Sequence, residues 1–241
     1  SLEHLEQALE NKKDSFKAEL VAFPQHGVYY TDTVPLMKEA AQLKSVGFIG
    51  GLDPLSIDGS IEKVMDFTVE LALDHHKGID IHLHEVGESG MKTINYLIDK
   101  AIENPALQGK TFVSHAFALA HLSPKETEQI AEKLAEGKVG IASSVPFKGT
   151  VMPIPTLKKY GVNVLIGNDN VQDYWSTFGS GSMLQKANLI AELYSYATEY
   201  ALSRALQFAT QSILPLDEKG KQQWPKAGDE AAVVLADASC S

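Results

Sequence analysis

The chain has 241 residues, 44% of them hydrophobic, and a formal net charge of −10, enough for one large globular domain or two small ones with a sizeable core. An acidic chain with no lysine or arginine cluster argues against nucleic acid and anionic membrane surfaces as partners, and no apolar run approaches the ~20 residues of a membrane span. The single cysteine, Cys240, leaves no disulfide framework within the chain and favours a reducing, cytoplasmic setting.

The first residues, SLEHLEQALENKK, read as a helix and lack the apolar core of a signal peptide. Short apolar runs then alternate with longer stretches of helical spacing. AELVAFP (Ala18 to Pro24) reads as a strand and Val34 to Gly47 as a helix closed by glycine. FIGGL is the second strand. Ser60 to Gly78 has a serine cap, an early glutamate and apolar residues at helical spacing. IDIHLHE is the third strand, followed by the helix GMKTINYLIDKAIENP. TFVSHA is the fourth strand. Ser123 to Gly137 carries a serine cap, a proline at the first helical position, an acidic first turn and a closing glycine. KVGIASSV is the fifth strand, IPTLKKYG a short helix and VNVLIGND the sixth strand. One long helical region is expected from about Gly181 to Gln211, and GDEAAVVLAD as a last strand.

Six strand-then-helix units in a row imply a parallel sheet with helices packed outside it. No G-x-G-x-x-G or Walker loop follows a strand, which weakens a doubly wound nucleotide-binding sheet. The expected architecture is therefore α/β, a (β/α) barrel, in which active residues sit at the C-terminal ends of the strands.

Those ends are polar. The first offers Gln25 and His26, the third His82, His84 and Glu85, the fourth His115, and the sixth Asp169 and Asn170. Imidazole and carboxylate are ligand types for a borderline or hard metal and also make acid–base pairs. Each residue has a plainer reading. A single histidine at a strand end is more often a hydrogen-bonded structural residue than a ligand, and Asp169 suits a helix cap. His75 and His76 suit the negative end of a helix dipole. His4 and His121 carry no assigned role. Three such groups at the ends of successive strands of one sheet are harder to explain as coincidence.

The order HLHE, SHA, GNDN and then DYWSTFGSGSM resembles the amidohydrolase superfamily. More narrowly it is similar to the cytosine deaminase-like branch, with the related triazine (N-isopropylammelide) amidohydrolases; VAFPQHG adds to the match. The resemblance implies a TIM-type barrel spanning residues 1–215, here with its third to eighth strands, and the start of an accessory β-sandwich segment in 216–241. It implies metal-dependent hydrolysis of a C–N bond in a nitrogen heterocycle, a pyrimidine or a triazine. One divalent metal, zinc or iron, would be held by His82 and Asp169, and Asp169 would also take the water's proton. Glu85 would pass a proton to the ring nitrogen, and His115 would orient or deprotonate the water. Gln25, His84, Asn170 and Trp175 would line the substrate.

The family's H-x-H pair on its first barrel strand has no counterpart here. The chain is accordingly expected to be truncated at its N-terminus, inactive or weakly active alone, and self-associating through exposed barrel edges. Asn170 replaces a second acid of the cytosine deaminase type, and GGLDPLSIDG replaces its histidine- and acid-bearing loop. Both make a cyclic amide or amidine a broader expectation than cytosine. Two competing expectations are a heterocycle-binding module without metal, and a different α/β fold with core histidines.

Overall fold

The structure is a computed structural model and describes residues 2–12, 18–146, 150–210 and 213–229. The strand expected in GDEAAVVLAD lies almost wholly outside the described residues. The chain divides into two compact units, residues 1–169 and 170–241.

The first unit holds six strands: β1 (Leu20–Ala22), β2 (Val46–Leu52), β3 (Gly78–His82), β4 (Thr111–Ser114), β5 (Val139–Ser143) and β6 (Val164–Ile166). All six expected strands are present. They are parallel, and each pairs with its neighbours in the chain, in the order β1 to β6. A doubly wound sheet reverses its strand order at a switch point. No reversal occurs here, which removes that alternative and leaves the winding of a (β/α) barrel.

Helices α1 (Leu2–Lys12), α2 (Thr33–Ala41), α3 (Pro54–Asp58), α4 (Ile61–Asp74), α5 (Gly87–Glu103), α6 (Pro124–Glu136) and α7 (Ile154–Lys159) complete this unit. Residues two apart on a strand share a face. One face carries Ile49, Ile79, Ile81, Val113 and Ile141, all fully buried, and α4 packs against β2 and β3 there. The other face carries Phe48, Asp80, His82 and Phe112, all only partly buried, and Leu165, 39% exposed. The Phe48 ring lies over Gly78, where a Cβ would also stand 2.6 Å from the Lys110 carbonyl oxygen. The Phe112 ring covers Gly140 in the same way. Glycine on one strand thus makes room for a phenylalanine on the next, and the two rings meet edge-on at 6.1 Å. The apolar layer of this inner face lies towards the strands' N-terminal ends, the polar groups towards the C-terminal ends.

The clearest helix signal in the sequence, at Ser123, folds as read. Ser123 Oγ accepts from the Glu126 N–H, and the Glu126 carboxylate accepts from the Ser123 N–H at 2.9 Å. Ser123→Ala is expected to destabilise the chain by about 1 kcal/mol, read as a lower midpoint in thermal unfolding, with no effect on the strand-end residues.

In the second unit the long helical region expected from about Gly181 to Gln211 is helical but interrupted among the described residues. The residues make α8 (Met183–Leu193) and α9 (Glu199–Ala205), followed by a 3₁₀ turn over Leu206–Phe208. Ser195 takes a positive φ of 56°, and Thr198 starts a new helix by accepting from the Ala201 N–H at 3.1 Å. A cap in mid-segment interrupts a pattern that is otherwise apolar at helical spacing.

Candidate functional site

In a parallel sheet all the C-terminal ends lie on one side, so the loops after β1 to β6 share a rim. Non-glycine residues with positive φ gather on it: Asp53 after β2 (35°), His115 and Ala116 after β4 (67° and 49°), Val145 after β5 (57°) and Asp169 after β6 (63°). Each costs on the order of 1–2 kcal/mol relative to ordinary backbone. Strain of this kind persists only where surrounding contacts over-determine it, and it clusters at functional sites.

The histidines come together. His82 and His115 approach with Nδ1 and Nε2 3.3 Å apart. The His84 ring lies 4.3 Å from that of His115, centroid to centroid, and Phe23 at the end of β1 lies 4.7 Å from His82. His115 is buried. Burial pulls its pKa below the usual imidazole value, to about 4; charge on His84 and His82 pushes the same way, and Asp169 and Asp80 oppose it. His115 is therefore a neutral imidazole at pH 7.

Glu85, 8% exposed, is the other buried ionisable group on this rim. Its Oε1 accepts from the Ser56 N–H at 2.7 Å, at the N-terminal part of α3. Its Oε2 is buried with no hydrogen-bond partner among the described residues. A buried acceptor without a partner is costly.

Three carboxylates and a serine escaped the sequence reading, or were seen without a role. Asp80 sits two residues before His82 and so shares its face. Its Oδ1 accepts from Ser114 Oγ at 2.6 Å, and its Oδ2 lies 3.3 Å from His82 Nε2. Asp53 receives the His84 ring. Asp58 accepts from the backbone N–H groups of Val28 and Tyr29 at 3.0 and 2.9 Å, which anchors the loop that carries Gln25. Period two marks Asp80 in D-I-H-L-H; nothing as simple marks Asp53 or Asp58.

The remaining expected residues are placed as follows. Gln25 and His26 lie exposed in the loop after β1. Asp169 follows β6 and acts electrostatically on both His84 and His115. Asn170 and Trp175 belong to the second unit, where Asp173 accepts from Asn170 Nδ2 at 2.5 Å and from the Trp175 N–H at 3.0 Å. The Trp175 side chain is exposed. His75 is the C-cap residue of α4, as its dipole reading has it.

No protein-family model matches the chain. It is 46% identical over all 241 residues to the uncharacterized protein YahJ of Escherichia coli K12, of which it covers 52%. It is 29% identical over 191 residues to an N-isopropylammelide isopropyl amidohydrolase of Pseudomonas sp. strain ADP, covering 78% of this chain and 46% of that protein. Among solved structures it matches an N-isopropylammelide isopropylaminohydrolase from Burkholderia multivorans, with 31% identity and a TM-score of 0.81 over 86% of this chain and 53% of the other. These relatives support, as a partial-length match, a likeness to the cytosine deaminase-like branch of the amidohydrolase superfamily. A 5-methylcytosine deaminase from Klebsiella pneumoniae shares the fold at 21% identity, with a TM-score of 0.76 over 86% of this chain and 54% of that one. The chain spans about half the length of the relatives it matches.

The donor set decides whether a divalent metal fits this rim. Two nitrogens 3.3 Å apart are spaced as two ligands of one tetrahedral ion would be. Both ring nitrogens of His82 are already engaged, however, one with His115 and one with Asp80. Among the described residues no three of His, Cys, Asp and Glu converge so as to hold an ion. The donors present do not by themselves make a metal centre. Plasma mass spectrometry of the purified chain is expected to find well under one transition-metal ion per molecule. A value near one would mean that the His82, His115 and Asp169 side chains rearrange to bind it.

Proposed function

We propose that this chain carries the acid–base part of a hydrolase that breaks a C–N bond in a nitrogen heterocycle, a pyrimidine or a triazine. The observation that carries the reading is the bare, buried Oε2 of Glu85 on the histidine-lined rim. A buried carboxyl oxygen without a partner is stabilised by a ligand that brings a hydrogen-bonding ring nitrogen to it, and a ring amide or amidine has that group. Glu85 gives a proton to the ring nitrogen, which makes the adjacent carbon electrophilic. Neutral His115 takes a proton from water as the water oxygen bonds to that carbon. His115 then returns its proton to the leaving nitrogen, the C–N bond breaks to release ammonia or an alkylamine, and the proton left on the water-derived oxygen passes to Glu85 as the ring carbonyl forms, which restores the acid. No step here runs through the zinc or iron that the family resemblance implies.

The Klebsiella enzyme is described as liganded with 5-fluorocytosine, and the Burkholderia and Pseudomonas proteins are named for N-isopropylammelide. Calorimetric titration with both compounds, together with assay of ammonia and isopropylamine release, tests the reading. Saturable binding of either one supports it; the absence of heat with both sinks it. A second reading, a heterocycle-binding module without chemistry, is favoured by the lack of three convergent donors. Binding that is unchanged in chelator with no amine released supports the module, and measurable release excludes it.

A further inference from the structure

The segment from Asp53 to Asp58 organises the rim. Asp53 follows β2 at φ 35° and ψ 65°, a left-handed conformation that a non-glycine residue adopts at a cost. Held there, its carboxylate meets three donors on the far side of β3. Oδ1 accepts from the backbone N–H groups of His84 and Glu85, at 2.6 and 3.0 Å. Oδ2 lies 2.8 Å from His84 Nδ1. The Asp53 N–H itself donates to the His82 carbonyl at 3.0 Å. These contacts fix the backbone turn on which both His84 and Glu85 sit.

They also settle a proton. Burial alone would raise the Asp53 pKa, but the hydrogen bonds from the His84 ring and from the His84 and Glu85 N–H groups outweigh it and hold the carboxyl below its usual range. A carboxylate has only lone pairs to offer, so the hydrogen between it and the imidazole belongs to Nδ1. The same hydrogen bond raises the His84 pKa above the usual imidazole value, so Nε2 bears a lone pair only above that raised pKa, where the ring is neutral. The His84 side chain is 43% exposed, against 14% for its Asp53 partner, so the ring is the accessible half of the pair.

We propose that Asp53 is a positioning residue that fixes His84 as the Nδ1–H tautomer, making His84 Nε2 a hydrogen-bond acceptor for an N–H or O–H donor of the bound heterocycle. The identity of that donor rests on the functional reading above; the tautomer does not.

The test uses the 241-residue chain with ¹⁵N-labelled imidazoles and two-bond ¹H–¹⁵N correlation spectra at pH 9. His84 is assigned by its loss in His84→Gln. A protonated Nδ1 and a bare Nε2 are expected in the unmodified chain. Asp53→Asn keeps an oxygen for the two backbone donors but turns an NH₂ towards the ring. It should invert His84 to the Nε2–H form and weaken 5-fluorocytosine binding about tenfold, the loss of one hydrogen bond. A purely structural role for Asp53 would lower stability without inverting the tautomer. An Nε2–H ring in the unmodified chain, or an Nδ1–H ring retained in Asp53→Asn, overturns the proposal. If Asp53→Asn does not fold, the unmodified spectrum decides alone. Failure of the unmodified chain to bind either heterocycle overturns the functional reading, while the spectra still judge Asp53.

Discussion

Glutamine in place of Glu85 lowers amine release from a pyrimidine or triazine by about 10²–10⁴-fold, the contribution typical of a positioned general acid or base. The fold is expected to tolerate the change. Glutamine keeps an oxygen for the Ser56 N–H and puts an amide nitrogen where the carboxylate now has a buried, unpartnered oxygen. One poorly satisfied polar atom replaces another, so the stability change is small beside the ~1–3 kcal/mol that a newly orphaned group costs. Thermal unfolding read beside an ammonia-coupled assay separates the two effects. Retained turnover would show that Glu85 is structural and would remove the main support for the proposed chemistry.

Gly90→Ala is expected to damage the same site from behind. Gly90 lies buried in the first turn of α5, and a Cβ there would overlap the Glu85 carbonyl oxygen and stand 2.8 Å from the Ala118 Cβ. The nearest obstacle is backbone, which cannot swing aside as a long side chain can. Overpacking of this kind costs about 1–3 kcal/mol, and each kcal/mol lowers the melting midpoint of a chain this size by roughly 2–4 °C. Relief by moving α5 away from Glu85 shifts the carboxylate, so heterocycle binding falls as well. Gly137→Ala is the control. Its φ of −74° suits any residue, and its nearest neighbour, Ile98 Cγ2, is at an ordinary 3.4 Å. Equal losses in the two variants would mean that the close approach at Gly90 has no special role.

What the sequence revealed, and what it hid, follows from the range of the interactions. Each strand was visible because one of its faces is a row of branched apolar residues fully covered by helices, such as Ile79 and Ile81. The start of α6 was visible because its cap is local, closed within Ser123 to Glu126. His82, Glu85, His115 and Asp169 were legible as candidates because strand ends in a parallel sheet share a side. Asp53 was hidden because its function depends on a left-handed backbone and on partners about thirty positions away, neither of which leaves a pattern in the chain. Asp58, which holds the loop of Gln25, was hidden for the same reason. The break between α8 and α9 was hidden because Tyr194 to Thr198 keeps the apolar character of its flanks while one residue, Ser195, leaves the helical region.

The strand order has a kinetic consequence. Phe48 pairs with Gly78 and Ile79 with Thr111, each strand finding its partner in the next unit of the chain. No strand has to wait for a distant segment before it can dock. The loop-closure entropy is met in similar small instalments along the chain. The sheet can then be laid down in the direction of synthesis, each new strand and helix settling on an edge that the previous unit has already made.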